Sequence, residues 1–215
     1  MKVKKLDFLI SLYIFCIVAA ELMGGKTFQL ISFSNFQLNA SVSIFLVPLI
    51  FTINDVVAEV YGAERIRSVI RASLIIIFIL LLFSILAISL PPSTKFASKE
   101  SMYDSIFGTS IRISTASLIA FALADFLDVF VFVKIKKALG QSKLWLRNNL
   151  SNFIAQFIDT TVFVVLAFYA INESVAQNIS FLFSLILPYW LLKCSLSVIE
   201  TPFVYIGVKW LRKDL

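Results

Sequence analysis

The sequence predicts an all-α integral membrane protein with six transmembrane helices and no separate soluble domain. Hydrophobic residues make up 60% of its 215 residues, and the mean hydropathy is +0.93. Because a soluble domain is only about half apolar, this excess indicates that lipid is the solvent. Charged residues are only 15% of the chain, and the basic ones lie beside apolar runs, where they act as topology signals.

Six apolar runs define the predicted spans, within one transmembrane domain that covers residues 1–215. The third is the clearest, because it carries no charge until Pro91-Pro92 ends it, and its length suffices to cross about 30 Å of hydrocarbon. Pro188 and Pro202 predict that the sixth helix is kinked or broken. The runs lie near residues 6–24, 39–61, 72–92, 111–133, 152–171 and 180–207.

The first run resembles a retained span more than a cleaved leader. It ends in the segment Glu21-Leu22-Met23-Gly24-Gly25, which offers no small-residue cleavage site of the kind that signal peptides have. We therefore expect this run to remain in the protein as its first transmembrane helix.

The distribution of basic residues predicts the orientation of the chain. Most of them fall in the N-terminal segment, after spans two and four, and at the C-terminus, whereas the alternate loops carry only Lys26, Lys95 and Lys99. Cytoplasmic loops are the basic ones, so both termini are expected in the cytoplasm of a bacterium, with a multi-pass chain in its inner membrane. Six spans divide into two halves of three, which permits a 3+3 inverted arrangement.

Several classes of function are excluded by composition. The chain has no histidine, so Ser-His and Cys-His nucleophile pairs and HExxH zinc sites cannot form. No glycine-rich phosphate loop is present. Cys16 and Cys194 lie inside apolar runs and are interpreted as packing residues. We expect no enzyme, no cofactor, no metal and no nucleic-acid partner; the bilayer and a small solute are the expected partners.

The most informative residues are polar groups inside the predicted spans. A charge at the bilayer centre costs at least about 2.5–3.5 kcal/mol, so these groups are expected to face one another or a wet cavity. The functional interpretation is a cavity for a polar, flat or cationic solute, in which phenylalanine rings stack on the solute. The candidate binding residues are Asn54, Asp55, Glu59, Arg112, Asp125, Asp128, Gln156, Asp159, Lys193 and Glu200.

A purely structural interpretation of the same residues stays open. Intramembrane charges also pair with one another to hold helices together, and Lys193 with Asp128 or Asp159 is the expected pair of this kind. Asp55 and Glu59 are four residues apart and therefore share one helix face. The sequence alone does not distinguish residues that touch a substrate from residues that only pair.

Four segments, in order along the chain, carry a recognisable pattern. They are VPLIFTINDVVAEVYG at 47–62; RISTAS at 112–117 with AF at 120–121 and LDV at 127–129; WLRNNLS at 145–151 with IDT at 158–160; and Tyr189, Lys193, Thr201, Pro202 and Tyr205. Together they resemble the queuosine precursor transporter family, also called the vitamin uptake transporter family. The resemblance covers nearly the whole chain, although Asp125, Asn152 and Glu200 differ from the residues that members usually have.

The resemblance implies import of queuosine precursors for tRNA modification: 7-cyano-7-deazaguanine, its aminomethyl form, or queuine. One alternative is a substrate-binding subunit of an ATP-driven vitamin importer. Another is a membrane transferase in which Asp55 and Glu59 hold Mg²⁺, although the other carboxylates are scattered over several helices. The precursor carried, the energy coupling and a homodimeric state stay open at this point.

Overall fold

Helices dominate the computed structural model, which describes residues 4–33, 36–139, 144–199 and 201–212. Two short 3₁₀ segments, Val42–Phe45 and Ala97–Lys99, precede α2 and α4. The longer elements in chain order are α1 (Lys5–Met23), β1 (Thr27–Phe33), β2 (Phe36–Ser41), α2 (Val47–Tyr61), α3 (Ala63–Ser89), α4 (Glu100–Leu139), α5 (Leu144–Phe168), α6 (Val175–Ile199) and α7 (Thr201–Leu211).

Within the described residues, five helical stretches are long and apolar enough to cross a membrane, which agrees with the predicted multi-pass helical class. They are Lys5–Met23, Val42–Tyr61, Glu64–Ser89, Ala97–Leu123 and Val175–Ser195. The span predicted near 152–171 falls on α5, whose apolar stretch among the described residues is Gln156–Phe168. The count of six crossings therefore stays a prediction.

The boundaries of the helices differ from the predicted spans for a simple reason. Hydropathy locates the hydrocarbon-crossing part of a helix, whereas α3 begins at Ala63 and α4 at Glu100, in polar turns outside that part. The predicted sixth run falls on α6 and α7, on either side of residue 200, which is outside the described residues. Pro188 lies inside α6 and Pro202 lies in α7.

A β-hairpin between α1 and α2 was not predicted, and the predicted start of span two at residue 39 was wrong. Residues 39–41 belong to β2, which pairs with β1 in a two-stranded sheet. The β2 sequence alternates apolar and polar residues, which is the period of a strand. Its apolar members extended the hydropathy of the second run beyond the helix.

Contacts divide the chain into two compact units, each described by itself. The first comprises Met1–Phe28, Ser41–Ser114 and Ser195–Leu215; the second comprises Gln29–Ala40 and Thr115–Cys194. In the first unit α2 packs against α1, α3 and α7, around a core that contains Tyr13, Ile53, Val57, Ile66 and Val69. In the second unit α5 and α6 contribute Val164, Leu182, Leu185 and Ile186.

The first unit contains a very close approach of two helices. A Cβ atom placed on Gly207 of α7 would lie 2.7 Å from Cγ2 of Val56 on α2. Only a residue without a side chain allows the two backbones to come this near, and small residues are the usual means of packing helices in lipid. Gly207 therefore determines how tightly α7 lies against α2.

The buried amide of Asn178 bridges the turn between α5 and α6, next to Gln177, whose Oε1 accepts from Ser174 N and Oγ. Asn178 is fully buried, its Oδ1 accepts a hydrogen bond from Ala170 N at 2.8 Å, and its Nδ2 donates to Ala170 O at 2.7 Å. Nδ2 also lies 3.3 Å from Glu173 O and from Ser174 O. The side chain of Asn178 thus pairs with backbone N–H and C=O groups of the turn, which have no partner in a regular helix at this point.

Large apolar side chains cover the outer surface of α3. Ile75, Phe78, Ile79, Leu82 and Phe83 are each more than half exposed. An apolar row of this length is costly in water and favourable against lipid tails. Burial within the protein and exposure to lipid together account for the high hydropathy of this helix.

Candidate functional site

The clearest pair of opposite charges lies between α5 and α6 in the second unit. Lys193 Nζ donates to Asp159 Oδ2 at 2.8 Å, and the two side chains are 19% and 29% exposed. This is one of the two pairs that the sequence predicted for Lys193. Both groups retain some exposure, so the pair is not sealed in the core.

An aromatic cluster lies one turn from this ion pair. The Trp190 ring packs edge-on against Phe157 and Phe153, with centroid distances of 5.4 and 6.3 Å. Its indole nitrogen donates to Phe153 O at 3.1 Å. These contacts fix the plane of the indole ring, because both its edge and its N–H are engaged. Trp190 and Lys193 are three residues apart and share one helix face.

Two further polar side chains accompany Asp159 on α5. Thr160 is buried, and its Oγ1 has no hydrogen-bond partner among the residues that the structure describes. Gln156, one turn before Asp159 and Thr160, is half-buried. A buried hydroxyl without a partner costs free energy, so Thr160 offers an unused hydrogen-bonding group next to the ion pair.

The first unit contains a second group of predicted residues, on α2. Asn54 forms a side-chain hydrogen bond with the buried Tyr13 of α1. The Oδ1 atom of Asn54 is buried and has no partner in the described part of the chain, so its amide nitrogen is the donor to Tyr13. Asp55, the next residue, is exposed.

Glu59 is engaged in an ion pair at the end of α2. Arg212 Nη2 lies 3.3 Å from Glu59 Oε1, and both side chains are more than half exposed. A guanidinium at this distance disfavours a divalent cation on the same carboxylate. No group of three or more potential metal ligands occurs in the part of the chain that the structure describes. The geometry therefore does not favour the Mg²⁺ alternative at Asp55 and Glu59.

Of the remaining predicted residues, Arg112 lies on α4 and is exposed. Asp125 and Asp128 lie on the same helix, but the structure does not describe their side chains. Glu200 is outside the described residues. The alternative partner for Lys193, Asp128, is thus not tested, and the proposed contact of these residues with a solute stays a prediction.

The sequence analysis did not single out Trp190, Phe153 or Thr160. The signal was available in the spacing: Trp190 precedes Lys193 by three residues, and Phe153, Gln156 and Thr160 recur at helical intervals around Asp159. Charged residues inside apolar spans attract attention because they are costly there. Aromatic and hydroxyl side chains carry no such cost. The sequence, which contains 22 phenylalanines, therefore does not distinguish Trp190, Phe153 and Thr160 from other residues of these types.

Comparison with known proteins places these residues in a family context. Residues 41–207 match a family described as "Putative vitamin uptake transporter". A Bacillus subtilis (strain 168) protein named "Probable queuosine precursor transporter" is 28% identical over 201 residues, which cover 93% of this chain and 83% of that protein. A Haemophilus influenzae protein of the same name is 28% identical over 137 residues, 63% of this chain and 55% of that protein. No solved structure matches the chain.

Proposed function

Because the chain belongs to the vitamin uptake transporter family, we propose that it imports queuosine precursors across the bacterial inner membrane for use in tRNA modification. The observation that supports this most directly is the similarity over 93% of the chain to a relative named for queuosine precursor transport. The matched range, residues 41–207, includes Asn54, Asp159 and Lys193. Membership in a transporter family makes the chain a membrane transporter and not an enzyme.

The Asp159–Lys193 pair provides suitable chemistry for a deazaguanine. The base presents a ring N–H and an exocyclic amine along one edge, and a carboxylate accepts two such donors side by side. In the structure Lys193 occupies Asp159 Oδ2 at 2.8 Å. In our proposal the substrate edge replaces the ammonium at Asp159, while Lys193 turns to the substrate carbonyl. Asp159 and Lys193 would each keep a hydrogen-bond partner, so the exchange leaves neither charged group unpaired.

Trp190 is the proposed stacking surface for the flat base. Its ring is fixed by Phe153 and Phe157 and by the hydrogen bond to Phe153 O. A ring held in one orientation stacks on a ligand without losing further side-chain freedom. Stacking of a base on an aromatic side chain contributes about 1–3 kcal/mol. Thr160 and Gln156 are proposed to complete the polar contacts.

The ends of the first unit support the proposed topology. Lys5 Nζ donates to Trp210 O at 2.8 Å and lies 5.2 Å from the centre of the Trp210 ring. Glu59 at the end of α2 pairs with Arg212. The start of α1 and the end of α7 are therefore in contact, which supports an even number of crossings. Six crossings, a single transmembrane domain and a 3+3 inverted arrangement are our proposal, with both termini at the basic, cytoplasmic face.

The experiment that tests the function measures queuosine in tRNA from a bacterium that cannot make the precursor. The strain carries this gene or an empty vector and is fed each of the three precursors separately. Restored queuosine in the gene-carrying strain alone supports import and identifies the compound. If no compound restores queuosine although the protein is present in the membrane, the proposal fails, and a subunit that needs an ATPase partner becomes the better explanation.

A further inference from the structure

A separate cavity lies in the first unit, between the end of α1 and the first turns of α4. Its volume is about 520 Å³, which is within the range of small-molecule sites. Apolar side chains such as Val42 and Ile106 form most of its wall, and the polar members are Lys26, Ser105, Thr109 and Ser110. None of the residues that line it was a predicted binding residue.

Hydrogen bonds hold the wall of this cavity in place. Ser110 Oγ donates to Leu22 O at 2.9 Å and so links α4 to α1. Val42 N donates to Lys26 O at 2.9 Å, and Ser41 Oγ donates to Gly24 O at 2.5 Å. Each bond joins segments that are distant in sequence. The cavity is therefore preorganised, which lowers the entropic cost of binding a ligand.

The hydroxyl groups of Thr109 and Ser110 can act only as acceptors toward a ligand. Ser110 uses its single proton on the carbonyl of Leu22, and Thr109 Oγ1 donates to Ser105 O at 2.9 Å. A hydroxyl has one donor and two acceptor lone pairs. With their protons engaged, both oxygens face a ligand with lone pairs, which suits ring N–H and amine groups.

Lys26 supplies the opposite chemistry at the same cavity. Its ammonium carries three donors and no acceptor, and the side chain is exposed. No carboxylate occurs among the described residues that line the cavity. A carbonyl or nitrile group is therefore attracted to Lys26, whereas a cationic ligand is repelled by it.

From this arrangement we propose that the cavity is the outward-facing entry site of the import path and binds an uncharged, flat heterocycle with N–H donors on one edge and acceptors on another. The inference rests on the proposed function and adds a site to it. The cavity lies at the end of α1 opposite to Lys5, and Lys5 belongs to the basic face that is proposed to be cytoplasmic. The cyano precursor meets the chemical requirement, and the cationic aminomethyl form meets it less well.

The site is tested by measuring whether a precursor protects an engineered cysteine in the cavity from a thiol reagent. Cys16 and Cys194 are first replaced by alanine, and restoration of tRNA queuosine shows whether this background is functional. Ser105→Cys is then introduced, with Ser93→Cys in the exposed loop before α4 as the matched control. Intact cells are treated with a charged, membrane-impermeant thiol reagent, with and without each precursor. We expect both cysteines to react and the cyano precursor to slow only Ser105→Cys, about tenfold.

The outcomes separate this inference from the proposed function. No reaction at Ser105→Cys, or no protection by a precursor that restores queuosine in the same cells, overturns the entry site and leaves the import function intact. Equal slowing at both positions also overturns it. If the cavity holds a lipid instead, the reaction rate changes with phospholipid composition and is insensitive to the precursor, which rejects the proposal.

A charge reversal provides an independent test that does not require the cysteine background. Lys26→Glu places a carboxylate at the cavity, so uptake of the aminomethyl form relative to the cyano form is expected to rise about fivefold or more. Lys95→Glu, a change of the same charge in another loop on the same proposed side, is the control. An unchanged ratio in Lys26→Glu, or the same increase in both variants, overturns the charge selection that we infer.

Discussion

Lys193 on α6 and Asp159 on α5 are joined by an ion pair of 2.8 Å between two helices that meet mainly through apolar side chains. Such a pair has two consequences in a membrane. Each partner neutralises a charge that would otherwise be costly. In our proposal a polar solute also competes for the two groups, so that stability and transport would depend on the same two residues in different ways.

Substitution of either partner should reduce stability more than substitution of both. Asp159→Asn or Lys193→Gln leaves one charge without its partner, and we expect a loss of up to about 3 kcal/mol. The double variant removes both charges and should recover most of this loss. Thermal unfolding in detergent measures stability, and the four proteins form a double-mutant cycle.

Uptake by the same variants distinguishes a binding pair from a structural one. If Asp159 contacts the substrate, the double variant should be stable and yet fail to restore tRNA queuosine. Full restoration by the stable double variant would show that the pair only holds α5 and α6 together.

Replacement of Trp190 should affect substrate affinity. Trp190→Leu removes the ring and is expected to raise the half-saturation concentration for uptake about tenfold, which corresponds to about 1.4 kcal/mol of stacking. Trp190→Phe keeps a ring but loses the hydrogen bond to Phe153 O, so a smaller effect is expected. Trp210→Leu serves as a comparison outside the second unit; an equal rise there would contradict a specific role for Trp190.

Enlarging Gly207 should separate α7 from α2. Gly207→Leu places atoms where Val56 already lies, because even a Cβ would be 2.7 Å from Val56 Cγ2. Overpacking of this kind costs about 1–3 kcal/mol. Val56→Ala should relieve part of the cost in the combined variant. Gly108→Leu is the control, since a Cβ there meets no atom within 4 Å.

Removal of the Asn178 amide should destabilise the turn between α5 and α6. Asn178→Ala leaves the N–H and C=O of Ala170 without their side-chain partners, at an expected cost of about 1–3 kcal/mol. Limited proteolysis at residues 169–174 and thermal unfolding both report this change. Gln177→Ala, an adjacent exposed position, should have a much smaller effect; equal sensitivity would mean that the turn is not held by Asn178.

The sequence predicted the helical membrane class and an ion pair of Lys193 with Asp128 or Asp159, because both follow from the cost of placing polar groups in lipid; the structure shows the pair with Asp159. The sequence did not predict the hairpin at 27–41, since a short apolar-rich strand contributes to hydropathy as a helix does. It also did not predict the cavity beside Lys26. Hydroxyl groups in the first turns of α4 have no unusual sequence pattern, and only the fold shows that their protons are used by backbone carbonyls.

The hairpin restricts how the protein moves during import. Among the described residues its sheet has only two strands, so each strand leaves one edge of backbone groups without a ladder partner, and such edges are not found facing hydrocarbon. The 19 residues of α1 span about 28 Å, close to the thickness of the bilayer core. Helices tied to an element that stays at the surface keep their depth, so alternating access in this protein should proceed by rocking about α1 and α2, without an elevator-like descent of those helices through the membrane.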